Sequence, residues 1–434
     1  MDLRGRRVTI MGLGRHGGGV AAARYCAQSG AIVTVTDLAD RDSLAESVES
    51  LSDVPIEKYT LGEHQENDFS HAEVVVVNPA VRPSDRNVEL ARQSGAEITS
   101  ETELFLDACP ASVIGVTGTV GKSTTAAMLT AIFKAAGRRA WLGGNIGHSL
   151  LGDLRSIQKD DVVVLEMSSF QLHWLNETAC WPKAAVITNC MPNHLDWHGT
   201  WKEYAAAKKR LVSHLPAGEK AVLNSLDAEV RQWGTGDAIT KNFSEAMAMI
   251  PPLRVPGEHN RINAACAAAM ARQWGIDDQA IVSALASFTG LSHRLRLVAE
   301  IDGRSFFNDS KSTTPAATIA ALESMERPTW LILGGADKKI DWREFVTAIA
   351  PRVKGIVVFG SVASTLGKHF QRSTKLVHET KTLAEAVGWC WQNSTGGEAI
   401  LLSPACPSTD QYRDFVHRGE EFEQLISALQ TRLK

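Results

Sequence analysis

The chain has 434 residues, of which 44% are hydrophobic and 22% charged, and its formal net charge is −4. That length exceeds what one hydrophobic core usually serves, so two or three domains are expected. The near-neutral charge, without any block of Lys and Arg, excludes a surface built for nucleic acid or for stable membrane association.

The first hundred residues alternate short β-rich runs with helical segments. Strands are predicted at 7–11, 31–36 and 72–77, with a glycine-rich turn and a helix over 20–29 after the first. A second unit opens with a buried-type strand at 112–117, then a loop at 118–123 and a helix over 124–136. Further strands are predicted at 161–165 and 184–187, with helices near 201–215 and 261–273. A third unit carries strands at 297–301, 305–307, 330–333, 355–359 and 398–402, alternating with helices near 316–324, 342–349, 379–390 and 417–430. Strands separated by helices imply parallel crossover units. The expected domains are 1–108, 109–292 and 293–434. No apolar stretch reaches membrane-spanning length, and the opening run MDLRGRRVTIMGLG is too short for a secretion signal. Seven cysteines lack CxxC spacing, which fits buried thiols in a reducing, cytoplasmic setting. No segment demands a permanent interface, so a monomer is expected.

The loop Gly118-Thr119-Val120-Gly121-Lys122-Ser123, followed by Thr124, leaves a strand and opens a helix. Glycines there turn backbone N–H groups toward phosphate oxygens, and the helix N-terminus adds its dipole. Lys122 can reach terminal phosphates, and the Ser123 hydroxyl can ligate Mg²⁺. The pattern is a variant, because valine stands at 116 and the glycines fall at 115 and 118. ATP is the expected nucleotide. In an α/β sheet, residues just past the C-terminal ends of strands face the ligand crevice. Glu166 and His194 follow two neighbouring strands, and with Ser123 they form a candidate Mg²⁺ site. Either one alone reads better as a surface or hydrogen-bonding residue.

Near the N-terminus, Gly12-Leu13-Gly14-Arg15-His16-Gly17 has dinucleotide-fingerprint spacing, and Asp37 ends the second strand where a ribose-binding acid would sit. A nucleotide-sugar diphosphate needs the same backbone donors as NAD. Two phosphate-binding turns fit two ligands, a diphosphate-bearing substrate and ATP, better than they fit a dehydrogenase.

Several segments together resemble the Mur ligase family of peptidoglycan synthesis across nearly the whole chain. They are GTVGKSTT at 118–125, EMSSFQL at 166–172, NHLD at 193–196, GEHNRINAA at 257–265, NDSKSTT at 308–314, LGGADKK at 333–339 and LLSPACPSTDQYRDFVHRGEEF at 401–422. The NDSK and SPAC segments favour the D-glutamate-adding branch. The resemblance implies a three-domain α/β architecture, with a Rossmann-like N-terminal domain, a central P-loop ATPase-like domain and a Rossmann-like C-terminal domain. It also implies ATP-dependent ligation of D-glutamate to UDP-N-acetylmuramoyl-L-alanine through an acyl phosphate.

By the same resemblance, Lys122, Glu166, His194 and Lys208 are catalytic, and Lys208 becomes carbamylated and joins Ser123, Glu166 and His194 around Mg²⁺. Gly118, Thr119, Gly121, Ser123 and Thr124 cradle phosphate. Asn260 and Asn263 approach the adenine, while Arg294 and Asp309 lie toward the nucleotide. Gly14, Arg15, His16, Asp37, Asn145 and Ser168 would hold the muramoyl precursor. Lys311, Thr313, Lys338, Ser408 and Phe415 would receive the amino acid. Read without the resemblance, Lys208 is a solvated helical lysine, and NDSK is a loop with an ordinary salt bridge.

The chain departs from the family pattern at Val120, where asparagine is usual, at His16, at Asn78-Pro79-Ala80, at Thr314 and at Thr409. Three alternatives follow: a related ligase using L-glutamate or another precursor, an ATP-binding regulatory protein without turnover, and an NAD oxidoreductase.

Overall fold

The computed structural model describes all residues except 15–16, 216–217, 235–236, 339, 371–375 and 433–434. Contacts divide the chain into two compact units. One comprises Met1–Ile250 with Ile262–Leu285, and the other Pro251–Arg261 with Ala286–Lys434.

The first unit holds two all-parallel, five-stranded sheets. The first sheet contains β1 (Arg7–Met11), β2 (Ile32–Asp37), β3 (Lys58–Leu61), β4 (Val74–Val77) and β5 (Glu97–Thr99), in the order β3-β2-β1-β4-β5. The second contains β6 (Ser112–Thr117), β7 (Ala140–Gly144), β8 (Val162–Glu166), β9 (Ala184–Ile187) and β10 (Lys220–Leu223), in the order β10-β9-β6-β8-β7. In both sheets the order reverses beside the first strand. This creates a crevice outside the C-terminal end of β1 and another outside β6, where ligands of such sheets bind.

Sequence alone explains why these strands are central. β4 is four consecutive valines, with Val74 and Val76 in one core and Val75 and Val77 in the core on the opposite face. Strands covered by helices on both faces need such continuous apolar runs. Each fully buried valine contributes roughly 1.5–3 kcal/mol relative to exposure. One core runs from Val8, Ile10 and Val33 through Leu104 and Phe105 to Val163 and Leu165, so the first two sheets share a hydrophobic interior.

The second unit holds a six-stranded sheet. Its strands are β11 (Arg296–Ile301), β12 (Arg304–Asn308), β13 (Thr329–Gly334), β14 (Val353–Phe359), β15 (Leu376–Glu379) and β16 (Ala399–Ala405), in the order β11-β12-β16-β13-β14-β15. Only β11 runs antiparallel to its neighbour. Here the order reverses between β13 and β16, beside the segments 333–337 and 403–408. The three sheets agree with the α/β class and the three-part architecture expected from the sequence.

Candidate active site

The loop after β6 is shaped by backbone conformations that suit glycine. Gly121, with φ 83°, caps the helix Lys122–Ala135, and a Cβ there would collide with the Asn263 side chain. A Cβ on Gly118 would overlap the Thr188 hydroxyl. The first turn of that helix has N–H groups without intrahelical partners, which suits an anion. The Lys122 ammonium donates to the carbonyls of Gly118 (3.0 Å) and Thr119 (2.9 Å), folding across the loop. Ser123 is buried in that first turn, and Asn263, also buried, stands beside Gly121.

Glu166 ends β8 and is 1% exposed. Its Oε1 accepts a hydrogen bond from the Asn145 amide at 3.0 Å, whereas its buried Oε2 has no hydrogen-bond partner. A buried carboxylate oxygen left unpaired is costly, and the usual explanation is a ligand or ion. Lys208 is 1% exposed on the helix Trp201–Ser213 and donates to the Gly118 carbonyl at 2.7 Å. Burial, aided by the Lys122 charge, lowers its pKa to about 7. Its ammonium lies 4.8 Å from the centre of the Tyr204 ring, and the Tyr204 hydroxyl is 2.9 Å from Thr119 Oγ1. Lys208 is therefore a buried loop neighbour, and the solvated helical lysine is excluded.

His194 adopts a left-handed conformation (φ 51°) before the helix Leu195–His198, and its ring packs 4.9 Å from that of Phe170. Burial lowers its pKa; the Asp196 carboxylate opposes the shift, and the charges of Lys122 and Lys208 reinforce it. Among the described residues, no group of three His, Cys, Asp or Glu gathers as a ready metal cage.

Asp37 fastens the glycine turn after β1. Its carboxylate accepts from the N–H groups of Gly14 (2.9 Å) and Ala39 (2.8 Å). Arg15 and His16 lie outside the described residues. Between the first two sheets lies a cavity of about 280 Å³ lined by Gly12, Asn78, Glu101, Asn145 and Ser168, among others. Ser168 also caps the helix Ser169–Trp174 through a reciprocal pairing with Gln171. Sequence reading missed Glu101, whose carboxylate accepts from Ser149 and Thr102. Its only signal was its place at the start of a helix beside the domain junction.

In the second unit, Lys311 lies 4.9 Å from the Phe415 ring centre, and Lys338 donates to the Thr313 carbonyl at 2.9 Å. Ser408 is buried, and its carbonyl accepts from the N–H groups of Gln411 and Tyr412. Asp309 is buried and accepts from the Leu295 N–H (3.0 Å) and the Ser403 hydroxyl (2.7 Å), with its pKa raised by burial to about 6. It thus ties the chain after His293 and Arg294 to β16. Asn260 donates to the Pro256 carbonyl at 2.7 Å. A residue overlooked in the sequence, Arg418, is fully buried and donates to Ser310 and to the carbonyls of Gly334 and Cys406. It pins together the three segments that flank the Lys311 and Ser408 positions.

Residues 6–100 match the Mur ligase MurD-like N-terminal domain, 116–250 the Mur ligase middle domain, and 293–406 the Mur ligase glutamate ligase domain. The UDP-N-acetylmuramoylalanine–D-glutamate ligase of Roseiflexus sp. (strain RS-1) is 36% identical, covering 99% of this chain and 100% of its own length. The enzyme of the same name from Pelotomaculum thermopropionicum is 35% identical over 99% of each chain. In fold, the chain resembles the UDP-N-acetylmuramate–alanine ligase MurC of Thermotoga maritima (TM-score 0.60, 17% identity, covering 98% of this chain and 99% of that one). It also resembles MurF of Acinetobacter baumannii (TM-score 0.55, 15% identity, covering 98% and 93%).

Proposed function

Because the chain belongs to the Mur ligase family, we propose that it joins D-glutamate to UDP-N-acetylmuramoyl-L-alanine, converting ATP to ADP and phosphate. Membership gives the coarser activity: an ATP-dependent ligase that adds an amino acid to a UDP-N-acetylmuramate precursor in peptidoglycan synthesis. The D-glutamate step draws its support from the MurD-like N-terminal domain and from the names of the full-length relatives.

A carboxylate is a poor acyl donor until one oxygen becomes part of a phosphate leaving group. ATP would phosphorylate the L-alanine carboxylate of the precursor, releasing ADP. The D-glutamate amine would then attack the acyl carbon, forming the amide and expelling phosphate. Such catalysis is mostly positioning and charge neutralisation, with water kept from the acyl phosphate. The observation that carries this reading is the convergence of Lys122, Lys208 and the phosphate loop on the Gly118 carbonyl, one strand from the unpaired carboxylate oxygen of Glu166.

The residues present fit a magnesium ion. Mg²⁺ commonly takes one or two carboxylates together with substrate phosphates and water, so a site with one unsatisfied carboxylate oxygen suits it. Glu166, the neutral imidazole of His194, the Ser123 hydroxyl and carbamylated Lys208 would hold it. When bound, the ion supplies Lewis-acid neutralisation of phosphate charge. The pKa near 7 favours carbamylation, because only the neutral amine can bond to CO₂, losing a proton as the anionic carbamate forms.

In this proposal, residues 1–108 take the precursor through Gly14, Arg15, His16 and Asp37. Residues 109–292 supply Asn145 and Ser168 to it and bind ATP through Gly121, Lys122, Ser123, Thr124, Asn260 and Asn263, with Gly118 and Thr119 shaping the loop. Residues 293–434 take D-glutamate through Lys311, Thr313, Lys338, Ser408 and Phe415, with Arg294 and Asp309 serving the nucleotide. Chromatography of products formed in parallel with D- and L-glutamate tests the assignment. Amide product with D-glutamate alone is expected. Product with L-glutamate alone would overturn it, and nucleotide binding without any product would favour the regulatory alternative.

A further inference from the structure

Asn189, just past the end of β9, makes four hydrogen bonds to the phosphate loop. Its Oδ1 accepts from the backbone N–H groups of Thr119 (3.1 Å) and Val120 (3.0 Å), and its Nδ2 donates to the Val120 carbonyl (2.9 Å). Its own backbone carbonyl also accepts from Thr119 N–H at 3.0 Å. The amide orientation is fixed by this network, since a flip would set donor against donor and acceptor against acceptor.

The neighbouring residues stiffen the clamp. The Thr188 hydroxyl donates to the Val120 carbonyl at 2.6 Å, and Asn224 donates to the Thr188 carbonyl at 2.7 Å. On the other side, Thr119 Oγ1 accepts from Met191 N–H at 2.9 Å. The Val120 side chain, by contrast, is 52% exposed.

We propose that Asn189 is a positioning residue for nucleotide phosphate, and that its amide, with the Thr188 hydroxyl, sets the shape of the loop independently of the side chain at 120. The clamp engages the N–H groups of Thr119 and Val120. Phosphate recognition then falls to the N–H groups of the following helix turn and to the Lys122 ammonium. Valine at 120 is tolerated because the loop is gripped there by its backbone. This inference rests on the nucleotide-binding part of the proposed function and needs none of the ligation chemistry.

The test is calorimetric binding of Mg·ADP to the purified full chain, with thermal melts as a control for folding. Losing the three side-chain hydrogen bonds in Asn189→Ala is expected to weaken ADP binding about tenfold. Val120→Ala is expected to stay within about threefold, on the same reasoning that an exposed side chain contributes little. Asn189→Asp keeps the acceptor oxygens but loses the donor to Val120 and adds a negative charge, so it should weaken binding at least as much. It serves as the measurement if the alanine variant does not fold. The KM for ATP should rise with the loss of ADP affinity while the KM for the muramoyl precursor holds, a split that general destabilisation would not give. The proposal is overturned if the Asn189 variants bind ADP within threefold of the parent, or if Val120→Ala loses as much as they do. A parent chain that binds ADP yet ligates nothing would instead overturn the functional reading and leave the clamp standing.

Discussion

Lys122 and Lys208 both donate to the Gly118 carbonyl, so two lysine side chains share one oxygen at the mouth of the phosphate loop. An incoming phosphate gives Lys122 a stronger, charge-assisted partner than a neutral carbonyl. Lys122→Ala is therefore expected to cut product formation by at least about a hundredfold, the scale seen when one transition-state donor is lost. Its melt should stay close to that of the parent, since the side chain is only partly buried. Near-normal ligation by the folded variant would contradict the role. For Lys208 the sign of the pH effect is set by a pKa lowered to about 7. The neutral amine grows as pH rises through that value, so protein depleted of CO₂ should regain activity on adding bicarbonate, dosed to give equal dissolved CO₂, faster at pH 8 than at pH 6. Recovery that ignores both bicarbonate and pH would remove the carbamate. At this scale the places of Lys122, at the loop-to-helix junction, and Glu166, at a strand end, were legible from their motifs. Lys208 could be assigned only by resemblance, because burial does not show in an Ala-Ala-Ala-Lys-Lys run. Asn189 was legible in principle, lying just past a strand that neighbours the loop strand.

Among the elements, those with long apolar runs or strong helical periodicity were read correctly. β1, β2, β4, β6, β8 and β9 lie within a residue or two of the predicted strands, as do the helices Trp201–Ser213 and Pro315–Glu323. Five strands, β3, β5, β7, β10 and β15, were unread, and all five lie at sheet edges. β3 is Lys-Tyr-Thr-Leu at a sheet edge and buries only Thr60. β15 is an edge strand with no fully buried residue. β7 ends in two glycines, which mask a strand that also lies at an edge. Edge strands need no two-faced apolar run, so their sequences carry little signal. The loop-to-helix junction gives this scale its prediction. Gly121 has φ 83°, a conformation costing roughly 1–2 kcal/mol for a residue with a Cβ. Gly121→Ala should fold, yet bind Mg·ADP at least about tenfold more weakly as the junction shifts. Unchanged affinity by calorimetry would show that the junction does not set the phosphate site.

Across the whole molecule, two parallel sheets share one unit and a mixed sheet forms the other, each with its order reversing next to a cluster of functional candidates. The number of sheets and their α/β character were legible from alternating strands and helices. The compact division was not, because it depends on the core that joins Val8 and Ile10 to Val163 and Leu165. No helix among the described residues is long and apolar enough to cross a membrane. The proposed reaction requires three substrates to be consumed together, and that coupling is the central claim. The direct measurement is phosphate release from Mg·ATP with UDP-N-acetylmuramoyl-L-alanine and D-glutamate, each omitted in turn. Sustained release only in the complete mixture, matched one to one by amide product, is predicted. Equal release without the muramoyl precursor or without D-glutamate would contradict the account.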